Sequence, residues 1–89
     1  MLRITDVSQD PRQSLLQIEG RIVADWVAAL EFACRDAIAQ HGGVTLDFSA
    51  VTFIDRRGVR MLKSLAVPEL RIVNCPALVG ELLRETETE

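Results

Sequence analysis

Leu46-Asp47-Phe48-Ser49-Ala50-Val51-Thr52-Phe53-Ile54-Asp55-Arg56-Arg57-Gly58-Val59 decides how this chain folds. The spacing predicts a buried strand over 44–48, a short connection, and a helix opened by Asp55 as its cap. Two arginines fill the first turn of that helix. Unpaired backbone amides make a helix start partly positive, so each cation there costs about 0.3–1 kcal/mol. Something other than helix stability accounts for Arg56 and Arg57.

Upstream, Gly42-Gly43 ends a helix expected over 25–40, because glycine adopts the left-handed backbone of a helix stop without strain. Asp25 is its expected cap. Trp26, Val27, Leu30, Ala33, Cys34, Ala37 and Ile38 form one apolar stripe at helical spacing. A strand is expected over 14–19, with Leu16 and Ile18 on one face and Gly20 closing it. Leu2 and Ile4 belong to a first short strand. A turn at Asp10-Pro11-Arg12 lets these two strands pair antiparallel.

Downstream, the helix after Asp55 reaches about Ala66, with Val59, Leu62, Leu65 and Ala66 buried, and Pro68 stops it. Residues 70–73 form a fourth strand. Pro76 opens a third helix, where its missing amide hydrogen costs nothing, and Leu78, Val79, Leu82 and Leu83 face inward. The tail over 85–89 is polar and expected to fray. Strands joined through a helix run parallel. The expected fold class is therefore α/β. One domain over 1–89 carries a single mixed four-stranded sheet, in the order β-β-α-β-α-β-α, packed with helices.

At 89 residues the chain is near the lower limit for a self-supporting core. With one Trp, three Phe and no Tyr, that core rests on Leu, Val, Ile and Ala. A formal net charge of −3 gives no general attraction to nucleic acid. Cys34 and Cys75 are isolated and are expected to be buried apolar thiols. They fit a reducing cytoplasm, since no signal peptide is evident. No metal site or other cofactor is expected, because the one histidine and two cysteines lack ligand spacing. No segment approaches the roughly 20 apolar residues of a membrane span.

Arg56, Arg60 and Lys63 share one helical face, with Arg57 beside it. That face is expected about 100° round from the Val59-Leu62-Leu65-Ala66 stripe, bordering the core. Charge runs of this kind commonly form solvated faces, with Asp55, Asp47 or Asp25 as ion-pair partners. The alternative is a docking surface for an anion at the helix start, beyond the carboxyl end of a parallel strand. Catalysis finds little support. Asp47 and Asp55 could form a carboxylate pair, but a capping role for Asp55 and backbone bonds for Asp47 are the simpler assignment. His41 suits a helix end, and Ser49 lacks a nucleophile elbow. Trp26 is expected in the core or at its rim, and Phe32 falls off the apolar stripe.

The quoted stretch resembles the signature of STAS domains, the family of anti-sigma-factor antagonists and related domains of transporters and sensors. Asp47, Asp55 and Gly58 match that signature, and Gly20 fits as well. The resemblance implies a non-enzymatic interaction module. In antagonists of the family a serine at this helix start is phosphorylated by a partner kinase that is itself an anti-sigma factor. Here Arg56 and Arg57 stand at the two serine positions, with Arg57 at the phosphoacceptor. Arginine offers no hydroxyl and reverses the charge of a phosphoserine. Thr52 and Ser49 are nearby hydroxyls outside the switch position. The expected site is Asp55, Arg56, Arg57, Gly58, Arg60 and Lys63. Its expected partner is an acidic protein, either an anti-sigma-factor kinase or a transport-complex subunit. A nucleotide or lipid headgroup at the same place, a role in lipid or anion transport, and a homodimer remain open on sequence alone.

Overall fold

The computed structural model describes residues 2–10, 13–65 and 69–85. Strands β1 (Leu2–Asp6) and β2 (Ser14–Ile22) are followed by helix α1 (Asp25–His41), strand β3 (Val44–Ile54), helix α2 (Arg56–Ser64), strand β4 (Leu70–Val73) and helix α3 (Ala77–Glu85). They form one sheet in the order β1-β2-β3-β4. β1 runs antiparallel to β2, while β2, β3 and β4 are mutually parallel. The expected mixed α/β fold is the observed one. The expected turn at Asp10-Pro11-Arg12, the stop at Pro68 and the burial of Ala66 involve residues outside those described, as does the tail over 86–89.

Period-two alternation places the core. Leu16, Leu46 and Ile72 lie in register across three strands and face the helices. Their neighbours Gln17, Asp47 and Val73 lie on the opposite face and keep contact with solvent. Ile18, Ile22, Leu30, Leu46, Phe48, Ile54, Val59 and Val79 are the centre of the core. Gly42 closes α1 in the left-handed conformation at φ 80°, with its amide on the Ile38 carbonyl.

Several expectations are corrected. β2 runs on to Ile22, because Gly20, at φ 103°, sits inside the strand at an irregularity and does not end it. β3 likewise continues to Ile54. Asp25 makes no capping bond. The cap position is Ala24, and Asp25 lies in the first turn, where its charge suits the dipole. Trp26 is 40% exposed although it lies on the apolar stripe, whose buried members are Val27, Leu30, Cys34 and Ala37. Leu78 is exposed, and α3 enters the core through Val79, with Leu82 and Leu83 packed against it. Cys34 is buried as expected, but Cys75 is exposed at the start of the α3 segment. Its expected burial fails because Asn74 turns the chain at φ 55° after β4 and carries Cys75 off the sheet.

Candidate protein-interaction site

The far half of β3 delivers the site. Gln17 pairs with Asp47 and Glu19 with Ala50, so two residues of β3 face one of β2. A second slip separates the Gly20–Val51 and Arg21–Phe53 pairs. Each irregularity adds a residue to β3, and the buried positions become Phe48, Val51 and Ile54, three apart. The strand stays paired to its end and places Asp55 at the carboxyl edge of the parallel strands. Beside the second slip, the Thr52 hydroxyl donates to the Gly20 carbonyl at 3.3 Å.

Asp55 has extended backbone and caps α2 as expected. Its Oδ1 accepts from the Gly58 amide at 2.8 Å. Its Oδ2 accepts from the Ala24 amide at 3.0 Å, reaching the start of the other helix. The Asp55 amide donates to the Ile22 carbonyl at 3.0 Å. The carboxylate is thus committed to backbone donors. Gly58 is buried because the start of α2 lies against the sheet. A Cβ there would sit 2.7 Å from Ile54 Cγ1 and 3.0 Å from Ile22 Cγ2.

Arg56, Arg57 and Arg60 are exposed, and Lys63 is half-buried. The face they share does not border the core as expected. Gly58, Val59, Met61 and Leu62 are all buried, and Met61 widens the buried arc. At about 100° per residue, the arginine face then lies about 180° from the centre of that arc and points to solvent. α2 has no acidic residue in its first turn. Among the described residues, neither Arg57 nor Arg60 makes an ion pair. Among the described residues the ion-pair alternative is therefore not realised for these two side chains.

Asp47 does not join Asp55. It lies eight residues earlier along the chain, on the order of 25 Å away at about 3.3 Å per residue. Its Oδ1 accepts from the Ser49 amide at 2.9 Å and from Asn74 Nδ2 at 3.4 Å. The Ser49 backbone bond, first, holds its carboxyl below the usual range. The carboxylate pair needed for acid–base chemistry is absent from this arrangement. His41 ends α1 and lines a shallow depression of about 310 Å³ with Ser14, Thr45, Glu69 and Arg71. That depression lies at the opposite end of the parallel strands from Asp55. Among the described residues no three potential metal ligands cluster, and no helix is long and apolar enough to cross a membrane.

Two features near the site are not legible in sequence. The Arg21 guanidinium stacks over the Phe53 ring, 5.5 Å from its centroid. The pair exists only because the second slip aligns those residues. Trp26 stands exposed two residues beyond the Ala24 amide that Asp55 holds, a placement that depends on the cap geometry.

The structure is a small α/β domain whose second helix presents guanidinium groups at the carboxyl edge of the parallel strands. The sequence model of the family described as "Mlab, STAS domain" matches residues 5–88, and the chain belongs to that family. Among solved structures it is similar to the anti-sigma factor antagonist SpoIIAA in its unphosphorylated form. The TM-score is 0.61 at 16% identity, covering 94% of this chain and 82% of that one. It is also similar to an antisigma-factor antagonist STAS domain from Rhodobacter sphaeroides. There the TM-score is 0.61 at 24% identity, covering 82% of this chain and 86% of that one. At these identities the likeness is one of fold. No curated protein matches the chain in sequence.

Proposed function

We propose that this domain is a non-enzymatic docking module that binds an acidic surface of a partner protein through the start of α2. Arg56, Arg57, Arg60 and Lys63 supply the charge, while Asp55 and Gly58 fix the helix against the sheet. One observation carries the reading: Arg57 and Arg60 project into solvent with no ion-pair partner among the described residues, and Arg57 lies in the first turn of the helix, which disfavours cations. A charge that lowers stability and neutralises no acid among the described residues is well placed to act between molecules.

Arg57 stands where the family resemblance places the phosphoacceptor serine. Docking here is accordingly constitutive and salt-sensitive, without a phosphate switch at that position. The partner is of the kind such folds engage, an anti-sigma-factor kinase or a subunit of a transport complex. Affinity capture with the wild type and the R57S/R60S double variant tests this. The expected result is a captured protein with an acidic surface, lost in the variant and at about 0.5 M salt, where screening shortens to a few ångströms. Undiminished capture by the folded double variant would overturn it. A thermal shift with a nucleotide or inorganic phosphate, abolished by the same changes, would move the assignment to a small anion.

A further inference from the structure

Ala24 holds φ 51° and ψ −127°, a backbone region that residues with a side chain rarely adopt. These angles match the first central position of a type II′ turn, about +60° and −120°, which glycine normally fills. The turn spans residues 23–26 and is closed by the Trp26 amide on the Val23 carbonyl at 3.0 Å. α1 grows directly out of it, with the Val27 amide on the Ala24 carbonyl at 3.1 Å. The Ala24 side chain is exposed, so packing does not hold the conformation. The outward bond that holds it is the Ala24 amide on Asp55 Oδ2 at 3.0 Å. The other oxygen of that carboxylate caps α2 through Gly58. One side chain therefore fastens the starts of two helices, and one of the two is strained.

We infer that the 23–26 turn is a latch with two positions and that Asp55 is its positioning residue. In the closed position, seen here, Ala24 is held at positive φ and its amide lies on Asp55. In the open position Ala24 relaxes to negative φ, its amide leaves the carboxylate, and the first turn of α1 with Trp26 swings free. Strain favours opening, and the shared carboxylate opposes it. Such a balance populates a minor state at roughly 0.1–10%. Because Asp55 also sets the start of α2, opening at Ala24 and any event at the arginine face are coupled, and the coupling is reciprocal. The latch belongs to the chain itself and does not depend on which partner docks.

Amide relaxation dispersion on the full chain tests it, with the indole of the single Trp26 as a second probe. The expected result is microsecond-to-millisecond exchange shared by Ala24, Asp25, Trp26 and Gly58. A24G, which removes the penalty of the closed turn, quenches it. D55N keeps a carbonyl for Gly58 but can turn an amide donor toward Ala24, and raises the minor population at least several-fold. A merely structural role for Asp55 would lower stability without this localised exchange. Flat profiles at these amides in the wild type, or a profile unchanged by A24G, would overturn the latch. The A24G comparison decides the matter even if D55N does not fold.

Discussion

Single residues carry the least expected parts of this molecule. Ala24 shows how a site can be hidden from sequence, since nothing in Val23-Ala24-Asp25 announces a turn that prefers glycine. The expected cap was Asp25, the only acid nearby in sequence. The carboxylate that holds this helix start comes instead from Asp55, which lies 31 residues away. Positive φ at a residue with a side chain costs about 1–3 kcal/mol, and glycine's extra unfolded-state entropy costs about 0.5–1 kcal/mol. Ala24→Gly should therefore stabilise the domain by about 1 kcal/mol. Urea unfolding measures this, and a lower midpoint in the variant would show that the turn is not strained. The cysteines make a second residue-scale contrast. Cys34 is buried, and burial pushes its thiol up to about 12, whereas Cys75 is exposed. A thiol reagent at pH 8 should label the native chain once, at Cys75, and Cys75→Ser should abolish that labelling. Rapid labelling of native Cys75→Ser would contradict the buried assignment.

At the scale of elements, helices and strand order were readable in the sequence, while the site's exact support was not. The stripe Val27-Leu30-Cys34-Ala37, the stop at Gly42 and the crossover order all follow from period and punctuation. The far half of β3 does not. Phe48, Val51 and Ile54 are three apart, which fits no regular strand, and only pairing with β2 through two slips makes them one buried row. Gly20 reads as a break in sequence, yet it lies inside β2 at positive φ, next to the second slip. Gly58 was legible as part of a motif, but its reason is steric. Gly58→Ala gains helix propensity of about 1 kcal/mol but drives a methyl into Ile54 and Ile22. Overpacking costs about 1–3 kcal/mol, so a net loss of about 1 kcal/mol is expected by chemical denaturation. A stabilised variant would mean that those two isoleucines yield freely. The arginines pull the other way. Arg57→Ser removes a cation from a helix start and should raise stability by about 0.3–1 kcal/mol, while weakening partner capture. Loss of stability instead would show that Arg57 has a structural partner and would remove it from the docking surface.

For the whole molecule, the pH dependence of stability ties composition to packing. A domain of 89 residues holds only a modest margin, roughly 0.05–0.15 kcal/mol per residue, so one buried titrating group can decide its alkaline limit. Composition makes that limit unusually clean. There is no tyrosine, Lys63 is the single lysine, and the arginines stay charged, so few side chains besides Cys34 and Cys75 titrate between pH 9 and 12. Burial raises the Cys34 thiol from 9.0 to about 12. A group whose pKa is higher in the folded state favours folding while it stays protonated. Its contribution is therefore intact below pH 9 and is lost progressively as the pH climbs toward 12. The loss is on the order of 4 kcal/mol at the upper end, a large share of the roughly 4.5–13 kcal/mol that such a domain holds. The acid side has the opposite sign. Backbone and hydroxyl bonds to Ser49 and Ser8 lower the carboxyls of Asp47 and Asp6, so their contributions disappear as the pH falls below 3.8. Melting temperature measured from pH 7 to 11.5 should fall steeply above pH 9 in the wild type and in Cys75→Ser. In Cys34→Ala, less stable at neutral pH because of the small cavity, the same limb should be nearly flat. Parallel curves for wild type and Cys34→Ala would place the alkaline transition on some other group and would mean that Cys34 is not sealed in the core between α1 and the sheet.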